Sequence, residues 1–130
     1  MVCTCRRPAA LTRCLAALSA QDHPNYDILV VDNDPDGSAA AMVRQSFPAV
    51  RYVAEGKPGV RFARNRGIAE SAGKIIAFID DDCVPVPGWL RSLAGNFRQR
   101  PQACATCQGQ QGSTFQPLFP EHEVEPPMGG

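Results

Sequence analysis

The run Lys74-Ile-Ile-Ala-Phe-Ile79, closed by Asp80-Asp81-Asp82, constrains this chain most. An apolar β-favouring stretch without alternation predicts a strand buried on both faces, the profile of a parallel sheet covered by helices. Parallel strands need crossover segments, so helical signals should stand between the strands. They do. After Pro8, Leu11, Cys14, Leu15 and Leu18 follow at helical spacing. Tyr26 to Val31 is a second strand-like run ending at Asp32, and Asn33 to Gly37 form a turn. Ser38 is placed to cap a helix through Gln45, and Val50 to Val53 make a third short strand. Gly59 opens a helix to about Ala72 with Gly73 as its stop, and Pro87 starts a helix carrying Trp89, Leu90, Leu93 and Phe97. With Met1 to Thr4 as the first strand, the pattern predicts a Rossmann-like α/β fold, mostly parallel, with flanking helices and right-handed crossovers.

The 130 residues suit one modest core, and the charges balance at 13 basic and 13 acidic. That balance gives no field recommending nucleic acid or an anionic membrane as partner. No apolar run approaches the ~20 residues of a membrane span, and no signal peptide is recognisable. The expected setting is cytoplasmic, with the inner face of the membrane as an alternative. The six cysteines (Cys3, Cys5, Cys14, Cys83, Cys104 and Cys107) are therefore expected to be reduced. Composition changes after residue 100. Residues 101–130 are rich in Pro, Gly and Gln and read as an irregular tail with a short ordered piece near Phe115. Residues 1–100 carry the fold.

In an open parallel sheet, ligands bind beyond the carboxyl ends of the strands, near the reversal of strand order. Those ends carry Thr4, Cys5, Arg6 and Arg7, then Asp32, Asn33 and Asp34, then Glu55 to Gly59, then the three aspartates. In an extended chain Asp80 and Asp82 project to one side. Two close carboxylates repel unless a cation lies between them, and Mg²⁺ or Mn²⁺ prefers oxygen ligands of this kind. An acidic turn capping the next helix is the plainer alternative. The glycine turn at Gly59 leads into a helix with Arg64 and Asn65 about one turn inside, an arrangement suited to an anion. Arg61 and Arg66 fall on other faces and are expected to be solvated. Asp32 reads either as a hydrogen-bond acceptor for a ligand or as a turn former.

The segments MVCTCRRP, ILVVDNDPDG and RYVAEGKPGVRFARNRGIAESAGKIIAFIDDDCVPVPGWL together resemble glycosyltransferase family 2 over about residues 1 to 100. The resemblance implies a GT-A fold and inverting transfer from a nucleotide-diphosphate sugar, aided by Mg²⁺ or Mn²⁺, to a sugar, lipid or polysaccharide acceptor. It implies that Thr4 and Arg7 line the nucleotide and that Asp32 meets the base, with Asn33 beside it. Gly59, Arg64 and Asn65 match the helix-opening nucleotide contact, with Lys57 as an auxiliary. Asp80 and Asp82 match the metal positions, and Asp81 the ribose contact. Family members continue into an acceptor half that supplies the general base. Glu121, Glu123 and Glu125 are the only acids after Asp82, and none sits in a recognisable base motif.

The expectation is thus a donor-binding portion without its acceptor half, whether as a fragment, through a frame change near Ala103 or as a degenerate relative. Poorly covered apolar surface at Trp89, Leu90 and Phe97 would make the isolated chain marginal. A nucleotide-diphosphate-binding module without transfer keeps every motif. A zinc or redox domain on Cys104-Ala-Thr-Cys107 with Cys3, Cys5 or His122 is a remoter alternative, because a C-x-C inside a strand is poor zinc spacing. No G-x-G-x-x-G follows the first strand, which argues against a nicotinamide domain.

Overall fold

The computed structural model describes residues 1–99, 105–107 and 116–117. Its elements run β1 (Val2–Thr4), α1 (Pro8–Ser19), β2 (Leu29–Asp32), α2 (Ala40–Ser46), β3 (Arg51–Ala54), α3 (Val60–Glu70), β4 (Phe78–Asp80), α4 (Trp89–Gln99), β5 (Ala105–Cys107) and β6 (Gln116–Pro117). The sheet order is β3-β2-β1-β4-β5-β6. β1 pairs in parallel with β2 and β4, β2 with β3, and β4 with β5, while β6 lies antiparallel to β5. Strand order therefore reverses between β1 and β4, where a crevice opens at the carboxyl ends.

Alternation along the strands divides the core in two. Val2, Val30 and Ile79 pack with Leu11, Cys14, Leu15 and Leu18 of α1 and Val43 of α2. Leu29 and Val31 pack on the other face against Ala63 of α3. That division follows from chain direction. The steps β1 to β2 and β2 to β3 advance one way across the sheet, and β3 to β4 doubles back, so right-handed crossovers put α3 on the opposite face. All four residues of β2 are buried, as a central parallel strand requires.

Several boundaries differ from the sequence expectation. Lys74 to Ala77 do not join β4, because the β1 register begins with Val2 opposite Ile79 and leaves the earlier residues without a neighbouring strand. β2 starts at Leu29 rather than Tyr26, whose hydroxyl instead donates to the Leu18 and Gln21 carbonyls and closes the C-terminal end of α1. Ser38 is not a helix cap. Two carboxylates from the preceding turn bond the backbone there instead, Asp34 taking the Ser38 N–H and Asp32 the Ala39 N–H. Within residues 101–130, expected to be irregular, β5 and β6 extend the sheet. Strands of three and two residues carry no readable period, so pairing alone reveals them, β5 with β4 and β6 with β5. Phe115 lies outside the described residues.

No α4 residue is buried; Trp89, Leu90 and Phe97 are half-exposed, as anticipated. A cavity of about 800 Å³, lined in part by Ile28, Ile76, Trp89 and Leu93, opens at the amino ends of the strands, opposite the carboxylates. Among the described residues no helix is long and apolar enough to cross a membrane. Cys3 and Cys5 are free thiols.

Candidate functional site

Strand β4 ends at Asp80, and a turn through Asp81 and Asp82, closed by the Cys83 N–H donating to the Asp80 carbonyl at 3.0 Å, sorts the acidic triplet. Asp81 turns inward, 6% exposed, where the Thr4 hydroxyl donates to one oxygen at 2.8 Å and Arg7 Nη1 lies 3.5 Å from the other. Thr4, Arg7 and Asp81 thus form a strap across the β1–β4 reversal. Asp80 and Asp82 turn the other way, and their oxygens gather with the Cys83 sulfur, all within 4.8 Å of one another. Burial first, then the Asp82 charge, push the Asp80 carboxyl up, against the opposing pull of Arg64. A cation removes that repulsion. The donor set suits a hard divalent ion through Asp80 and Asp82, because Mg²⁺ and Mn²⁺ need only one or two carboxylates and fill the remaining positions with water and phosphate oxygens. Cys83 did not stand out in the sequence, where a cysteine after a strand reads as a small hydrophobe.

The second wall of the crevice is the amino end of α3. Gly59 precedes it with φ 127° and ψ 136°, a conformation open only to glycine. α3 has no side-chain cap and no acidic residue in its first turn. An uncapped helix start of this length presents orphan N–H groups and a positive dipole end, which attract anions. Arg64 and Asn65 are exposed on α3; burial pushes the Cys3 thiol up as it does the Asp80 carboxyl, and the Arg64 charge opposes both rises, so it faces the β1–β4 edge. Lys57 and Arg61 both lie over the Phe62 ring, at 5.5 and 4.9 Å from its centroid. Arg66 pairs with Glu70 at 3.1 Å, one turn along the helix. Gly59→Ala is expected to cost about 1–3 kcal/mol, since it forces a side chain into that backbone conformation, with Phe62 only 3.4 Å from the added Cβ. A urea titration with an unchanged midpoint would contradict the strain assigned there.

The third group lies differently from the expectation for a ligand-facing acid. Asp32 is 0% exposed, and its carboxylate accepts from the Asp34 N–H, the Ala39 N–H and the Tyr52 hydroxyl. It faces the interior of the β2–α2 turn. Burial and then the Asp32 hydrogen bond push the Tyr52 phenol up, so it donates throughout the working pH range. Asn33 also turns toward its own chain, bonding the Glu55 and Lys57 carbonyls and the Gly59 N–H. Tyr52 gave no sequence signal, because a tyrosine in a β-favouring run reads as packing.

Asp34, a turn former by sequence, accepts from the Ser38 and Asp36 N–H groups and from Arg6 Nε at 3.3 Å. Hydrogen bonds from Ser38 and then Asp36 hold its carboxyl down at about 2, against an ordinary 3.8. A depressed folded value means the ionised form is favoured by folding, so this stabilisation is present above pH 3.8 and is lost as pH falls through about 2. Asp34→Asn should therefore flatten the fall in thermal stability across that window. A variant that tracks wild type from pH 4 to 2 would rule this out.

These parts define a class: a Rossmann-like α/β domain whose switch-point edge combines a carboxylate pair with an uncapped helix start. Glycosyl transferase family 2 matches residues 1–127, which runs through the segment expected to be irregular. The chain belongs to this family. It is 36% identical over 86 residues to the glycosyltransferase AglE of Haloferax volcanii, covering 62% of this chain and 28% of that protein. It is 36% identical over 103 residues to the succinoglycan biosynthesis protein ExoM of Rhizobium meliloti, covering 75% of this chain and 33% of that one. The crystal structure of S. aureus TarS 1-349 superposes with a TM-score of 0.68 at 20% identity, over 77% of this chain and 32% of TarS, and shares the GT-A fold. The chain thus spans about a third of the length of these relatives.

Proposed function

We propose that the β1–β4 crevice binds a nucleotide-diphosphate sugar together with Mg²⁺ or Mn²⁺, as the donor site of an inverting glycosyltransferase. The observation that carries this reading is the sorting of the triplet: Asp80 and Asp82 converge beside the strand reversal while Asp81 is tied to Thr4 and Arg7. A bound divalent ion would neutralise charge growing on the departing diphosphate. The chain's own groups do the rest. Asp80 and Asp82 hold the ion. The α3 start beyond Gly59 and the Arg64 guanidinium face the diphosphate oxygens, with Asn65 and Lys57 alongside. Thr4, Arg7 and Asp81 bound the nucleotide side. The fixed positive groups stabilise charge where it develops, without having to reorganise. The acceptor is a sugar, lipid or polysaccharide hydroxyl. Glu121, Glu123 and Glu125 lie outside the described residues and take no role in this reading.

Binding without transfer is the second reading, since the groups gathered at the crevice all serve to hold a donor and none of the described residues is assigned as a general base. The zinc alternative rests on Cys104 and Cys107 with Cys3 and Cys5 or His122, and of these Cys104 and His122 lie outside the described residues. Calorimetric titration of UDP, GDP and dTDP, with and without Mn²⁺, tests the donor site. Metal-dependent binding that is lost in Asp82→Ala is expected, and a folded chain that binds none of the three nucleotides would end the assignment. Release of free sugar from a bound donor, or its transfer to an added acceptor, separates an enzyme from a binding module.

A further inference from the structure

Asn33 stands where three chain segments meet. Its N–H donates to the Thr4 carbonyl at 2.8 Å, at the end of β1. Its side-chain Nδ2 donates to the Glu55 carbonyl at 2.9 Å and to the Lys57 carbonyl at 2.6 Å. Its Oδ1 accepts the Gly59 N–H at 2.9 Å. The orientation of the amide is fixed by these partners, since two carbonyls require the nitrogen and an N–H requires the oxygen. Both side-chain donors are thereby engaged within the chain. The loop they hold contains Gly59, whose glycine-only conformation leads the chain into α3, the start of which has no side-chain cap. Only a carboxamide supplies two donors and an acceptor from one planar group. An aspartate there would turn a carboxylate oxygen against two carbonyl oxygens.

We infer that Asn33 is a positioning residue: it fixes the 55–59 loop so that the amino end of α3 is pre-set for the diphosphate, and it does not itself contact the nucleotide. This rests on the donor-site reading above and separates the diphosphate from the nucleoside as the part of the donor that Asn33 governs. Preorganised donors lose no affinity to loop ordering on binding, and loosening them adds that cost for the diphosphate alone.

The test uses the whole chain, with Mn²⁺ present. Asn33→Asp and Asn33→Ala are compared with wild type for the best-binding diphosphate among UDP, GDP and dTDP and for its parent nucleoside, by NMR titration. Amide exchange at Gly59 is followed without ligand, and circular dichroism checks that the variants fold. Diphosphate affinity is expected to fall about tenfold in both variants, with nucleoside affinity within about twofold of wild type, and Gly59 exchange should accelerate. The alanine variant separates loss of the clamp from the new charge of the aspartate variant. Equal losses for diphosphate and nucleoside would make Asn33 a ligand contact and overturn the inference, as would unchanged diphosphate affinity or unchanged Gly59 exchange. A wild-type chain that binds no diphosphate would overturn the donor-site reading first and the inference with it, an outcome visible before any variant is made.

Discussion

Asp32→Ala should be the most damaging single change in the described part of the chain, lowering stability by about 3–5 kcal/mol through the donors it leaves unpaired. Its carboxylate lies at the buried end of β2, where the Asp34 and Ala39 N–H groups and the Tyr52 hydroxyl converge on it. Truncation removes the acceptor of three donors around a fully buried carboxylate, two of them buried backbone N–H groups. A small domain holds about 5–15 kcal/mol in total, so the variant sits at the edge of folding. Urea unfolding followed by circular dichroism would read the effect as a fall in the midpoint. Tyr52→Phe removes one of the three donors cleanly and should reproduce a smaller part of the loss. A folded Asp32→Ala with a wild-type midpoint and weakened nucleotide binding would return Asp32 to the role of base contact that the family resemblance implied.

Asp80→Asn should act in the opposite direction on stability while removing metal binding. The Asp80 carboxyl is pushed up by burial and by Asp82, so folding disfavours its ionised form. With a folded value above the ordinary 3.8, the penalty sets in as pH rises through that value and is complete above the folded one. At neutral pH without metal, the asparagine variant should therefore melt a few degrees higher than wild type, and the two should converge below pH 3.8. Mn²⁺ should raise the melting temperature of wild type, by the equivalent of about 2.7 kcal/mol at a hundredfold excess over Kd, and leave the variant unmoved. A variant that melts lower than wild type, or that Mn²⁺ still stabilises, would show that the carboxylate pair is not a strained cation site. Stability given up at a functional cluster and restored by its ligand is the pattern expected of preorganised charge.

Much of this was legible without coordinates. Leu11, Cys14, Leu15 and Leu18 form the buried stripe of α1 that their spacing foretold. The apolar β2 run is a central strand. Asp80 and Asp82 were expected on one side from the period of an extended chain, and the structure does bring them together, but through the turn that follows β4 rather than through the strand. Strand limits were less legible, because pairing ends where a neighbour ends: β4 holds only Phe78–Asp80 of a longer apolar run. β5 and β6 carried too few residues for any period to show.

The amino-acid order by itself determined the α/β alternation, the parallel sheet and the edge on which polar groups collect, since these depend on local period and on chain direction. What each polar side chain does at that edge was decided by tertiary structure. Asp32, Asn33 and Asp34 are adjacent and chemically alike, and no local rule distinguishes a carboxylate facing a ligand from one bonding its own turn. Tyr52, from β3, and the 55–59 loop arrive from another part of the chain and take up the hydrogen bonds of Asp32 and Asn33. Thr4, from β1, does the same for Asp81. A polar group satisfied from a distant segment is invisible in sequence, because the partner that fixes its role is brought to it only by folding.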